Sequence, residues 1–265
     1  MSEAAAFFEL DGERLVPTAL TRGPWSSIHQ HGGPPSAVMA RAIEQAAGEP
    51  ESLQMTRFTV DFVRPVPMEP LTVSVERVRD GRRARGYAAV LSAGGQAVAR
   101  ATALLVRTEA VPPPPAPVQE PLLPPHGEAT PFQFPFFRDP VGYPTGVETR
   151  MARGTFGSGR AAAWMRLRVP LVQGETPSPA QRVLTLADSG SGVGAVFDPA
   201  RFVPFINADL TVSLYRLPDG EWVGLDAVTA LEPHGIGLTR TGLYDARGPI
   251  GEGLQVLVVG QPVAR

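Results

Sequence analysis

Two ten-residue stretches, FTVDFVRPVP at Phe58–Pro67 and LTVSLYRLPD at Leu210–Asp219, repeat one pattern at a constant spacing of 152 residues. Phe58, Val60 and Phe62 fall on Leu210, Val212 and Leu214, while Thr59 and Arg64 fall on Thr211 and Arg216. In both copies apolar residues alternate with others, the period of a half-buried strand. The chain downstream of each copy repeats as well. A strand (Leu71–Val78; Trp222–Ala230) leads into a turn (RDGRR; EPHGIG) and a second strand (Arg85–Ser92; Leu238–Tyr244). A glycine-containing turn (AGGQ; DARGP) and a last apolar strand (Ala97–Val106; Glu252–Val259) close the set. Ahead of each set stands one candidate helix, Pro34–Ala47 and Pro179–Ala187, opened by a proline whose missing N–H costs nothing in a first turn. The chain therefore reads as an α+β unit of one helix and about five antiparallel strands, used twice.

Between the halves runs VPPPPAPVQEPLLPP (Val111–Pro125), too rich in proline for a helix or an interior strand and best suited to a stiff extended connector. The organisation expected is a first unit over residues 1–110, a connector over 111–135 and a second unit over 136–265.

Composition narrows the functions. Hydrophobic residues make up 43% of 265, enough for a sizeable core, and the net charge is only -2. All basic residues are Arg and they are scattered, apart from Arg82, Arg83 and Arg85 at a predicted hairpin tip, so no nucleic-acid surface is expected. The absence of Cys excludes disulfides, thiolate zinc sites and a Cys nucleophile. No apolar stretch approaches the ~20 residues of a membrane span, and the first residues lack the pattern of a signal peptide. A soluble cytoplasmic protein without a membrane partner is the expectation.

The segments HQHGGPPSAVMARAIEQ (His29–Gln45), LADSGSGV, FINADLTVSLYR and GPIGEGLQVLVV carry a resemblance. The chain resembles the hotdog fold, and more closely the tandem double-hotdog proteins of the acyl-CoA thioesterase II (TesB-like) family, over nearly its whole length. The resemblance implies two hotdog repeats, each with one long helix wrapped by an antiparallel sheet, the two sheets joined. It also implies an acyl-CoA or related acyl thioester as substrate and no cofactor. Relatives often assemble further, which leaves a homo-oligomer open.

The repeat serves as an internal control for candidate site residues. Setting Ser178 against His31 puts Asp188 opposite Arg41, Asn207 opposite Met55 and, at a spacing of 153, Gln255 opposite Thr102. The second half thus bears Asp, Asn and Gln where the first bears Arg, Met and Thr. On the residues alone, Asp188 fits a solvated helix end or a catalytic acid, and Asn207 fits turn chemistry at a strand start equally well. Gln255, inside an apolar strand, needs a partner for its amide.

In thioesterase II-like proteins an Asp, a Ser/Thr/Asn and a Gln hold and activate the attacking water. The resemblance therefore makes Asp188 the general base or water-orienting carboxylate, with Asn207 and Gln255 completing the water's hydrogen bonds. Family members often have Thr or Ser where this chain has Asn207. Such a set suits a thioester, whose hydrolysis needs an oriented water, a proton acceptor and donors for the oxyanion, but no covalent nucleophile.

Gly32 and Gly33, at the mouth of the first helix, fit either an oxyanion hole or a tight approach to the helix. His31 fits a substrate contact or loop packing, and with His29 it forms an H-x-H pair too isolated for a metal site. Two other patterns lead elsewhere. GSGVGA (Gly190–Ala195) matches a dinucleotide fingerprint but lacks the βαβ context, and no G-x-S-x-G occurs. The cluster FQFPFFRDP (Phe132–Pro140) suits hinge packing or the wall of an acyl tunnel. Three functions stand: a thioester hydrolase, a hotdog hydratase or dehydratase built on His31, and an acyl-thioester-binding protein without turnover.

Overall fold

The structure, a computed structural model, describes residues 5–48, 52–112, 123–137, 139–196 and 204–260. In the first half, strands β1 (Phe8–Asp11) and β2 (Arg14–Pro17) precede helix α1 (Gly33–Ala47). Strands β3 (Leu53–Phe62), β4 (Leu71–Asp80), β5 (Ala84–Ala93) and β6 (Gln96–Arg107) come after it. The second half opens with β7 (Thr130–Pro131), the one-turn α2 (Tyr143–Gly146), β8 (Val147–Gly154) and β9 (Arg160–Leu167). Helix α3 (Pro179–Ala187) and the short α4 (Gly190–Val193) come next. The chain then completes the sheet with β10 (Phe205–Asn207), β11 (Asp209–Leu214), β12 (Val223–Leu231), β13 (Ile236–Asp245) and β14 (Gly248–Val259).

All the named strands belong to one antiparallel sheet in the order β1-β2-β4-β5-β6-β3-β11-β14-β13-β12-β9-β8-β7, with β10 paired to β14 beside that path. The repeat explains the centre. Strand β3 pairs with β11 so that Thr59 faces Thr211, Phe58 faces Val212 and Val60 faces Leu210. The two residues that are equivalent by sequence are thus also partners, and their hydroxyls meet at 3.2 Å. A pseudo-two-fold axis passes between them and relates the halves.

Inside the sheet, α1 and α3 pack antiparallel. Helix α1 carries Pro in its first turn and stops at Gly48, whose φ of 66° places it in the left-handed region where glycine is favoured. Ser178 caps α3 by accepting the Gln181 N–H at 3.1 Å. The start of α1 meets the end of α3, where a Cβ at Gly33 would collide with the Thr185 carbonyl oxygen. At the other end, Glu44 accepts hydrogen bonds from Ser178 Oγ (2.9 Å) and Gln181 Nε2 (2.7 Å). Burial pushes the Glu44 carboxyl above its ordinary value, against the pull of those two donors. Phe7 and Phe8 are fully buried, and their N–H groups bond the carbonyls of Pro170 and Leu171, tying the amino-terminal hairpin to the second half.

The double-hotdog α+β architecture stands as expected, and three details differ. First, the spacing of 152 persists through β6 and β14: Met55 pairs with Leu105 and Asn207 with Leu257. The counterpart of Gln255 is therefore Ala103 and not Thr102, which lies exposed on the outer face. A slip of one residue exchanges the two faces of a strand. Second, Arg41 is not the counterpart of Asp188. Its guanidinium grips Glu175 at 2.5 and 2.6 Å, and the acid at the matching end of the helix pair is Glu44. Third, β9 pairs with β12 and β8 with β9, which extends the second half beyond the strands expected from the sequence.

Of the proline-rich connector, residues 111–112 and 123–125 lack regular structure and 113–122 lie outside the described residues. From Leu123 the chain already packs on the second half, where Trp164 Nε1 donates to the Pro124 carbonyl at 2.7 Å.

Replacing Gly33 by Ala forces the helix pair apart at its closest point. We expect a loss of about 1–3 kcal/mol, the usual range for overpacking, seen as a lower urea midpoint at unchanged slope.

Candidate active site

Asp188 is the last residue of the α3 end, in right-handed helical conformation, and its side chain is 3% exposed. Buried carboxylates need partners, and this one has three. Asn207 Nδ2 donates to Oδ1 at 2.8 Å, Gln255 Nε2 approaches the same oxygen at 3.3 Å, and Oδ2 lies 3.0 Å from His31 Nδ1. The three residues singled out by the repeat, Asp188, Asn207 and Gln255, therefore meet in space.

Each amide has a defined task. Gln255 Nε2 also donates to the Asp188 carbonyl at 3.0 Å, while its Oε1 accepts the Ser191 N–H at 2.9 Å. One side chain thus satisfies a carbonyl at the end of α3 and an N–H at the start of α4, groups that helix ends leave unpaired. Asn207 Nδ2 spends its second proton on the Asp209 carbonyl at 3.1 Å. Asn207 closes the short β10, not the long strand that the sequence suggested, and Ala208 separates the two. Gly190 permits the close approach of α4 to β13 and β14, since a Cβ there would strike Thr241 Oγ1. The GSG run is packing, with antiparallel strands around it rather than a βαβ unit.

The first half contributes the opposite wall. His31 stacks flat on Tyr143, with ring centroids 3.8 Å apart and an angle of 1°. The Tyr143 hydroxyl donates to the Thr185 carbonyl (2.9 Å), so Ser189 Oγ, also at 2.9 Å, donates to it in turn. Burial raises the Tyr143 pKa far above its ordinary value, with the Ser189 bond opposing and the Asp188 charge adding to the rise, so the phenol stays neutral. Burial also lowers the His31 pKa, and the Asp188 charge opposes that shift. Nδ1 of His31 lies 3.2 Å from the Gly33 N–H as well. The carboxylate is the stronger partner, so the proton belongs on Nδ1 toward Asp188, which leaves Nε2 as an acceptor.

Gly32 sits between these groups. A Cβ there would come within 2.6 Å of Phe62 Cζ and 2.9 Å of Asp188 Oδ2. Its N–H has no hydrogen-bonded acceptor among the described residues. Gly33, by contrast, serves the helix contact described above. A cavity of about 540 Å³ opens over Asp188, Asn207, His31 and Gly32. Phe134, Phe136 and Phe137 line it, so three rings of the aromatic cluster before α2 form part of the cavity wall, while Phe132 packs against Phe134. Nothing in the sequence marked Tyr143 or Phe62 as site residues, because only the tertiary fold brings them into the cavity with Asp188. Among the described residues no cluster of His, Cys, Asp or Glu is arranged to hold a metal ion.

A carboxylate set by two amides over an apolar cavity, at the seam of two hotdog units, is the arrangement to compare with known proteins. Residues 21–106 match the acyl-CoA thioesterase N-terminal domain, and residues 109–259 match the acyl-CoA thioesterase C-terminal domain. The chain belongs to the acyl-CoA thioesterase family. Solved structures agree on the fold. A Thermobifida fusca YX protein provisionally described as a thioesterase II is 19% identical, with a TM-score of 0.73 over 97% of this chain and 96% of that one. A hot dog fold protein from Alicyclobacillus acidocaldarius is 20% identical, with a TM-score of 0.72 over 98% and 97%. The acyl-CoA thioesterase II TesB2 from Mycobacterium marinum is 17% identical, with a TM-score of 0.62 over 87% and 91%. No curated protein sequence matches the chain.

For this acyl-CoA thioesterase family member the lowered His31 pKa has a stability consequence. The folded state resists protonation that the unfolded chain accepts at 6.5, so stability falls as pH drops below that value toward the folded pKa. Urea midpoints at pH 7.5 and 5.5 are expected to show this loss, and His31→Gln is expected to shrink it.

Proposed function

We propose that the enzyme hydrolyses acyl-CoA thioesters with a water activated by Asp188. The observation that carries this reading is the division of the carboxylate: Oδ1 is held by Asn207 and Gln255, while Oδ2 faces the cavity beside His31 and Gly32. Asn207 and Gln255 aim the carboxylate, and the amide oxygen of Asn207 accepts a hydrogen bond from the water. The water attacks the thioester carbon as its proton passes to Asp188. The Gly32 N–H, at the positive end of α1, receives the developing oxyanion. Collapse breaks the C–S bond, and Asp188 returns the proton to the departing thiolate, giving free acid and CoA.

The 3.0 Å contact of His31 Nδ1 with Asp188 favours one second reading, hydration of an enoyl thioester with His31 as the proton-transfer group. Thiol release and loss of enoyl absorbance separate the two on the same protein. Asp188→Asn is expected to keep the circular dichroism of the native protein and to lower thiol release by ~10²–10⁴-fold, the range for a lost proton acceptor. Near-native turnover in the folded variant removes Asp188 from the chemistry.

A further inference from the structure

The cavity over Asp188 has two kinds of wall. Near the mouth the lining is aliphatic and exposed: Val63 is 50% exposed, Ile206 50% and Val258 53%. Farther in it is aromatic and buried, with Phe134 at 6% and Phe136 at 8%. Behind these two rings stand more rings rather than open space. Phe134 lies 5.2 Å from Phe132, and Phe136 lies 6.0 Å from Phe156, neither of which lines the cavity. At the rim Trp25 stacks on Phe136 at 5.6 Å and meets Phe205 edge-on at 5.7 Å.

These rings pack on one another and present aromatic faces and edges to the cavity. A long acyl chain needs a tunnel that continues past that wall. A flat acyl group needs only ring faces and edges to pack against, which is what the wall supplies. The total volume, about 540 Å³, must also take the thioester and the end of the pantetheine arm, which fits the exposed aliphatic mouth.

We propose that the substrates are CoA thioesters of compact, ring-bearing acyl groups, arylacetyl thioesters in particular, selected by Phe134, Phe136 and Trp25. This rests on the thioester hydrolysis proposed above, and the test keeps the two apart. Phenylacetyl-CoA, octanoyl-CoA with the same number of acyl carbons, and palmitoyl-CoA are compared by kcat/KM. The expected order is phenylacetyl above octanoyl by about tenfold, the scale of two aromatic contacts, with palmitoyl lowest. Phe136→Leu is expected to bring the phenylacetyl-to-octanoyl ratio toward one, and Phe136→Tyr to preserve it. Should Phe136→Leu fail to fold, Trp25→Leu at the exposed rim reads the same ratio. Octanoyl- or palmitoyl-CoA turned over as well as phenylacetyl-CoA by the native enzyme overturns the proposal. If no thioester is hydrolysed, thioester hydrolysis itself fails. The acyl preference is then read by calorimetry with the thioether analogues of phenylacetyl- and octanoyl-CoA, and equal Kd values overturn it.

Discussion

The pairing of β3 with β11 around Thr59 and Thr211 is the constraint on which the rest of the molecule depends. It fuses two sheets into one and, because equivalent residues face each other, imposes two-fold symmetry on everything attached. The helices must then cross the same axis, and they do so antiparallel, with Gly33 of one against Thr185 of the other. Each helix end consequently confronts the beginning of its partner. A site at one such junction automatically has a twin at the other.

The twins have diverged. At one junction Asp188 faces a cavity; at the other Glu44 is held by Ser178 and Gln181. Where Gln255 stands in one half, Ala103 stands in the other, and the acid there is held from the partner helix instead. Both junctions keep an acid at the helix end. Among the described residues only the Asp188 junction opens on a cavity, and that cavity draws its walls from both halves of the chain.

The sequence carried the architecture because repetition and alternation are local signals. The strands from Leu53 to Arg107 and from Asp209 to Val259 were legible, and so were Asp188, Asn207 and Gln255 as polar breaks in apolar elements. Register was not legible to one residue, since the turn before β14 allows a spacing of 152 or 153 and only pairing decides. The Asp188–Arg41 correspondence failed for a related reason: helices slide by a turn without changing their apolar pattern, and the contacts of Glu44 and Arg41 fix the alignment. His31 beside Asp188, Phe62 over Gly32 and Tyr143 beneath the imidazole are products of the fold alone.

The two prolines in the first turn of α1 limit what that helix end can hold. A helix start ordinarily offers four N–H groups and holds small anions well, whereas Pro34 and Pro35 leave only those of Gly32 and Gly33 among the first residues. Of these two, the Gly33 nitrogen already lies 3.2 Å from His31 Nδ1, which leaves the Gly32 N–H alone without an acceptor among the described residues. A free carboxylate, with charge on two oxygens and the Asp188 carboxylate close by, is held less well. The amino terminus of α1 is therefore poorly equipped to grip a two-oxygen anion, unlike the ordinary helix start whose free N–H groups make a ready anion seat.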